Sequence, residues 1–429
     1  MMEMSKKKIH FAWWTLVALC IMVGVGKGAL NNSAGLFIPG VTAPPSEDGL
    51  GISTGNLTLY FSIASIVTMI FLPIGGKILA KYDTRIVLIT AMILQAGAFV
   101  GFGFSNSVWG WYIFAIPLAV GGVFITVIAG PVLVNQWFKK KNGLALGLIG
   151  ASQGLLGALA QPLVGRTIAE SGWRTGYISL GLAAIIIVVP MILFLIRKSP
   201  QAIGIMPYGA EEVSDLESGK TSESDKGVTL AIARKSSAFY SLFLFFLLIV
   251  SIASFSVHIP SYIQSLPQGY DSVFAGNVMA AYMVGVLIGA ILLGYLVDKI
   301  GSRNTIYLAM VLAIVSVFGL MFGSDSPLII ILSTGLFGFT VSNSVGTLSP
   351  ALTTSLFGSR EYSQIYSTAS LGLAVAGIVA LPAYGYVYDM TNSYTPALYA
   401  VIVMLVLNII LVTYAFVGKT KLKDQGHWN

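Results

Sequence analysis

Charge is scarce in these 429 residues: Asp, Glu, Lys and Arg together make up only 10% of the chain. Soluble globular chains carry about 25% charged residues. A deficit of that size excludes a water-soluble enzyme, a disordered protein and a nucleic-acid binder. There is one cysteine, Cys20, which excludes a disulfide framework and a cysteine-ligated metal site. The three histidines, His10, His258 and His427, stand too far apart in sequence for a local metal motif. No residue set asks for a metal or a cofactor. What fills the chain instead is apolar: 56% of it is hydrophobic, and the mean hydropathy is +0.84. The net charge of +7 does not argue for nucleic acid, because the basic residues have a topological use. The composition is that of an integral membrane protein whose constant partner is the lipid bilayer.

A helix crossing the hydrocarbon needs about 20 apolar residues at 1.5 Å each. That ruler finds twelve spans: 11–38, 53–80, 85–105, 108–137, 143–169, 174–196, 237–264, 272–298, 303–322, 327–355, 362–388 and 393–417. A β-barrel would alternate apolar and polar residues, and runs such as Ile185 to Ile196 do not. The first span follows Lys6, Lys7 and Lys8 like a signal peptide. It is too long for an h-region and lacks a small-residue cleavage site, so it reads as a retained helix.

Lys and Arg in the connections set orientation. With a cytoplasmic N-terminus, one face collects 21 of the 24 basic residues, including Lys139 to Lys141 and Lys419 to Lys423. The other face keeps only Arg166 and Arg174, which predicts a multi-pass protein of the cell membrane with both termini cytoplasmic. The one long hydrophilic stretch, 197–236, carries Glu211, Glu212, Asp215 and Glu217 and divides the spans six and six. The expected domains are therefore 1–196, a cytoplasmic linker 197–236, and 237–429. Landmarks recur across the divide. Gly76 and Arg85 answer to Gly294 and Arg303, Pro131 and Phe138 to Pro350 and Phe357, and Pro162 and Gly165 to Pro382 and Gly385, at offsets of 218, 219 and 220. Duplicated halves around a midplane site, rocking to give alternating access, are how secondary transporters are built.

The same landmarks resemble the major facilitator superfamily over essentially the whole chain. Its loop motif Gly-x3-Asp-x2-Gly-x-Arg stands intact at Gly294, Asp298, Gly301 and Arg303, whereas the first copy has Ala80 for the acid and Asp83 for the second glycine. Two stretches, Trp137 to Gly147 with Gly172-Trp173-Arg174, and Val257 to Tyr262, resemble the monocarboxylate porter and oxalate/formate antiporter branch. The resemblance implies an all-α membrane fold of twelve helices in two pseudo-symmetric six-helix bundles. It also implies transport of a small organic anion, and a functional lysine on the first helix. The animal porters carry an Asp/Arg pair on helix 8, and the oxalate type has Arg on helix 8 and Lys on helix 11. Here Asn277 to Val297 and Tyr362 to Tyr388 hold no charge, which points to a singly charged anion or an amphipathic one.

Lys27 is the charge that composition does not explain. It lies roughly 24 Å along its helix from Phe11 and roughly 20 Å from Gly40, and a lysine reaches only ~6 Å. A mid-membrane charge costs at least ~2.5–3.5 kcal/mol, and no acid stands inside a span to pair with it. An unpaired cation in a central cavity is an anchor for an anionic substrate. The competing reading is a structural one, with Lys27 paired to a loop carboxylate or facing carbonyls at a helix break among Gly24, Gly26 and Gly28.

Other polar residues rank around Lys27. Asn31, at i+4, should share its face, and Asn32 is adjacent. His258, in the symmetry-related span 7, either donates to substrate or packs between helices. Ser342, Asn343, Ser344 and Thr347 form a polar stripe, and Tyr60, Gln153, Gln161, Tyr282 and Tyr366 are further candidates for a cavity lining. Gly147, Gly150, Gly154 and Gly157 have the small-xxx-small spacing of close helix packing. Gly76, Arg85, Gly294, Asp298, Gly301 and Arg303 belong to a conformational latch, formed when their side is closed and broken when it opens.

The expected activity is alternating-access transport of a monocarboxylate-like anion by a monomer, with proton symport or exchange for a counter-anion. An exporter of lipophilic compounds is the rival on the same fold. A polytopic enzyme should show clustered His, Asp or Glu, and a receptor an added soluble domain; the sequence has neither.

Overall fold

The computed structural model describes residues 10–210 and 227–426. Lys6 to Lys8, the acidic part of the linker with Lys220 and Lys226, and His427 lie outside the described residues. Among the described residues, ten continuous helical runs are long and apolar enough to cross a membrane. Two of them, Asn142–Leu195 and Ser272–Phe322, are 54 and 51 residues long, far beyond one crossing. Each is bent at a glycine with left-handed φ, Gly172 at +80° and Gly301 at +82°. The bend turns each run into a hairpin, and the total becomes twelve.

We number them α1 (Phe11–Thr42), α2 (Thr54–Lys81), α3 (Thr84–Gly103), α4 (Val108–Trp137), α5 (142–171), α6 (173–195), α7 (Ser237–Gln264), α8 (272–300), α9 (302–322), α10 (Pro327–Phe357), α11 (Tyr362–Thr391) and α12 (Thr395–Asp424). The two copies of the repeated loop are built differently. Gly301 makes the α8–α9 turn by its positive φ, which a side chain would strain. In the α2–α3 turn Asp83 stands at the N-cap, its carboxylate accepting from the Arg85 N–H at 2.8 Å. The departure of the first copy thus exchanges a backbone device for a capping one.

Contacts between the first and last six helices run along α5 with α8, α2 with α11, and the ends of α1 and α7. These seams are close from the end of the molecule that carries the 43–53 loop to the middle of α5 and α8, where Gly154 packs on Leu287 and Met283. A Cβ on Gly165 would meet the Ser272 carbonyl, one on Gly35 the Val257 carbonyl, and one on Gly55 the Tyr386 ring, each within 2.5 Å. At the other end, which carries the basic loop Lys139 to Lys141, Gly143, Gly147 and Gly150 of α5 and Gly294 of α8 have no atom within 4 Å of a built Cβ. The helices are therefore zipped at one end and splayed at the basic end.

Candidate functional site

Four helices leave α geometry near their middle. α1 is a π-helix over Gly24–Asn31, α4 over Val123–Ile128, and α10 over Gly338–Ser342 and Ser344–Leu348; α7 tightens to a 3₁₀ turn at Phe255–His258. Such segments are rare and gather at functional sites. They stand at equivalent places in the repeat, the first and fourth helices of each half.

The π segment of α1 carries Lys27, and its glycines explain the local course. Gly28 lies so close to α5 that a Cβ would come 2.3 Å from the Gln153 carbonyl. A Cβ on Gly24 would strike Leu156, and one on Gly26 would strike Ile125 of α4. The backbone of α1 thus packs against the backbone of α5 on one flank and against the Ile125 side chain on the other, and Lys27 projects into a cavity of about 1030 Å³. Its side chain is exposed there despite its depth in the span. It has no hydrogen bond and no ion pair, and no other charged residue lines the cavity among the described residues.

The cavity runs from Lys27 and Asn32 past Gln153, Ser256, Tyr282, Ser342, Asn343 and Thr347 to Gly143 and Leu144, at the basic end of α5. Most of its wall is apolar, with Val250, Ala253, Val286, Ala290, Ile291 and Val345 among the lining residues. A second cavity of about 740 Å³ lies between α2, α4 and α11, lined by Asn31, Tyr60, Phe61, Met69, Leu72, Phe99 and Leu373. Leu381 lines both cavities.

Asn31 does not share Lys27's cavity as α-helical spacing predicts. Bonds in a π segment run i→i+5, so a turn takes more residues, and Asn32 comes round to the place expected for Asn31. Asn32 donates toward the Met283 sulfur at 3.5 Å. Asn31 faces the second cavity and accepts from Gln95 Nε2 at 3.1 Å, while Gln95 also donates to the Gly26 carbonyl at 2.9 Å. Sequence reasoning passed over Gln95; the signal was a lone amide in an otherwise apolar third span. It also passed over Ser256.

The candidates divide into three groups. Lys27, Asn32, Gln153, Tyr282 and Asn343 line the central cavity. Asn343 is also committed to structure, its amide donating to the Val286 and Phe339 carbonyls at 3.1 Å each. Asn31 and Tyr60 line the second cavity. Gln161, His258 and Tyr366 line neither. Gln161 is fully buried with both amide atoms unpartnered. The His258 ring is also fully buried, with Nε2 2.9 Å from the Leu381 carbonyl and Nδ1 3.5 Å from Tyr394 Oη. Tyr366 packs edge-on against Phe246.

The glycines of α5 serve two purposes. Gly154 and Gly157 pack against Leu287 and Met283 of α8, as the spacing predicts, whereas Gly147 and Gly150 stand open in the cavity wall. The latch residues lie at the splayed end. Asp298 is exposed and has no hydrogen bond or ion pair among the described residues, and Arg303 instead rests its guanidinium 5.3 Å above the Phe416 ring. Gly76 and Gly294 have open space around them.

Comparison with known proteins gives a concordant picture. The family model described as the Major Facilitator Superfamily matches residues 28–380 and 266–427. The multi-drug resistance efflux pump PmrA homolog of Lactococcus lactis is 24% identical over 397 residues, covering 90% of this chain and 92% of that protein. Monocarboxylate transporter 12 of Homo sapiens is 22% identical over 431 residues, covering 96% and 82%. Among solved structures, a bacterial homolog of the human lysosomal transporter Spinster, inward-facing and unoccupied, aligns with a TM-score of 0.66 at 15% identity over 98% of this chain and 99% of that one. That last likeness is one of fold.

Proposed function

Because the chain belongs to the Major Facilitator Superfamily, and so is a twelve-helix membrane transporter, we propose that its substrate is an organic monocarboxylate held by Lys27. The observation that carries this reading is an ammonium group without a counter-ion among the described residues, accessible in a cavity that no other described charge lines. A carboxylate brings the missing charge, and a charge-assisted hydrogen bond contributes about 1.5–3 kcal/mol. Asn32, Gln153 and Tyr282 supply neutral polar contacts beside it. The volume of about 1030 Å³ is at the upper end of drug-sized ligand sites, and the apolar wall favours an anion with a substantial neutral body.

In this reading 1–196 and 237–429 are the two rocking bodies, the basic end is cytoplasmic, and the conformation is the one open to the cytoplasm. The membrane is the plasma membrane, and the working unit is a monomer. Coupling is by exchange for a second anion or by proton symport. The experiment is carboxylate flux in proteoliposomes with Lys27→Gln, which keeps the side chain polar and removes its charge. Flux of every carboxylate carried by the wild type should fall at least tenfold in correctly inserted protein. Undiminished flux refutes the proposal.

A second reading, export of uncharged lipophilic compounds, is favoured by the apolar 740 Å³ cavity and by the efflux pump among the relatives. It predicts that Lys27→Gln spares transport of neutral substrates.

A further inference from the structure

The closed seam holds a carboxylate that the substrate site does not use. Asp389, near the end of α11, accepts from the first two backbone N–H groups of α2: Oδ1 lies 2.9 Å from the Thr54 nitrogen and Oδ2 2.8 Å from the Gly55 nitrogen. The first four N–H groups of a helix have no partner within it, and that terminus favours negative charge. Here the cap comes from the other half of the chain, more than 330 residues away.

Everything around the cap is built for close approach. A Cβ on Gly385 would lie 2.7 Å from the Gly55 nitrogen and 2.8 Å from its Cα. Tyr386 Oη donates to Asn56 Oδ1 at 2.9 Å. Two turns lower, the Ser62 hydroxyl donates to the Ile378 carbonyl, which has no helical donor because residue 382 is a proline. Below Ser65, which donates to the Gly377 carbonyl, the second cavity opens between the two helices, lined by Met69 and Leu72 on one side and Ser370 and Leu373 on the other.

We infer that Asp389 is a positioning residue of the transport cycle, a clasp that holds the 43–53 end shut while the basic end is open and lets go in the opposite state. Alternating access requires α2 and α11 to part at this end, and parting separates both oxygens from both amides at once. A contact made in one state only shifts the balance by its own free energy. The clasp stands opposite the open latch at Asp298 and Arg303, so one electrostatic closure is made while the other is released.

The test needs no substrate, so its failure and the failure of the Lys27 reading are separable. In a Cys20→Ser background, Ala151→Cys places a thiol in the central cavity wall. A membrane-impermeant thiol reagent applied to either face of oriented vesicles reports which end is open. The parent should label from the basic side. Adding Asp389→Asn, which keeps the shape but loses the charge and one acceptor, should raise labelling from the 43–53 side at least tenfold, equivalent to about 1.4 kcal/mol. A second variant guards against a cap needed only for folding. Cysteines at Asn56 and Tyr386, joined by a short cleavable bifunctional reagent, should reduce labelling of residue 151 from the 43–53 side to background, and cleavage should restore it. An unchanged side preference in Asp389→Asn overturns the inference, as does labelling from the 43–53 side while the cross-link is intact.

Discussion

Three glycines of α5, Gly143, Gly147 and Gly150, face open space and three, Gly154, Gly157 and Gly165, face α8, and exchanging them for alanine should separate conformational effects from packing effects. At Gly154 a Cβ sits 2.9 Å from Leu287 Cβ, 3.0 Å from the Met283 carbonyl oxygen and 3.1 Å from the Leu287 nitrogen. Carbon contacts are optimal at about 3.5–4.0 Å. Gly154→Ala therefore forces α5 and α8 apart by roughly half an ångström, and overpacking of this kind costs about 1–3 kcal/mol. At Gly150 no atom lies within 4 Å, so Gly150→Ala adds no clash and gains up to ~1 kcal/mol of helix propensity. Thermal denaturation in detergent should place Gly150→Ala at or above the wild type and Gly154→Ala several degrees below it. Gly150→Leu should also insert and melt normally, yet it projects into the space that α5 and α8 must share when the basic end closes. Its carboxylate turnover in proteoliposomes should fall at least tenfold. Equal melting losses at positions 150 and 154 would mean that α5 and α8 are packed along their whole length. Full turnover by Gly150→Leu would mean that the basic end does not close along this seam.

Gln95→Leu removes the donor to the Gly26 carbonyl and to Asn31, leaving one buried acceptor unserved at about 1–3 kcal/mol and a second, half-buried one facing the cavity. Both the melting temperature and the affinity at the Lys27 site should drop, and an unchanged melt would show that the π turn holds without this amide. On the latch reading, Asp298→Asn weakens a closure that the present conformation does not make among the described residues, so steady-state kinetics should show kcat reduced more than KM is raised; the opposite split counts against a latch.

The spans were legible because apolar runs of membrane length announce themselves. Even the split of the two long runs was visible, in the breaks at 169–174 and 298–303 where Gly172 and Gly301 turn the chain. The site was legible only in outline. A lysine deep in an apolar span is conspicuous, but placing its neighbours required a helical period, and the period of α1 changes at Gly24–Asn31. That change exchanged the positions of Asn31 and Asn32. For His258 the sequence left substrate contact and packing open; the ring is buried against the Leu381 carbonyl. Asp389 looked like an acid at a span end, since nothing local links it to Thr54 and Gly55. Which end stands open is a property of the packed seams, and no single span records it.

The accessibility of Lys27 alters the argument that a mid-membrane charge demands a partner. In this conformation the ammonium is exposed within a cavity that reaches the basic end, so its burial cost is deferred. The cost returns when the basic end closes and the cation is enclosed by a mostly apolar wall. On the monocarboxylate reading, an empty carrier then bears something approaching the ~2.5–3.5 kcal/mol of an unpaired charge in the membrane, whereas a loaded carrier encloses a neutral ion pair. Return of the empty carrier should accordingly be the slow step, by up to roughly 10²-fold at 1.4 kcal/mol per decade. Efflux of a preloaded labelled carboxylate should therefore be much faster into medium containing the same unlabelled carboxylate than into medium without it. Lys27→Gln carries no charge to enclose, and its exchange-to-net ratio should collapse toward one even where its absolute rates are low. A wild-type protein whose net efflux equals its exchange rate would refute this account, because the cation would then have to cross empty at no cost. Proton release from Lys27 on the empty return step is the chemistry that would permit that, and it would appear as a pH change inside the vesicles in step with net flux.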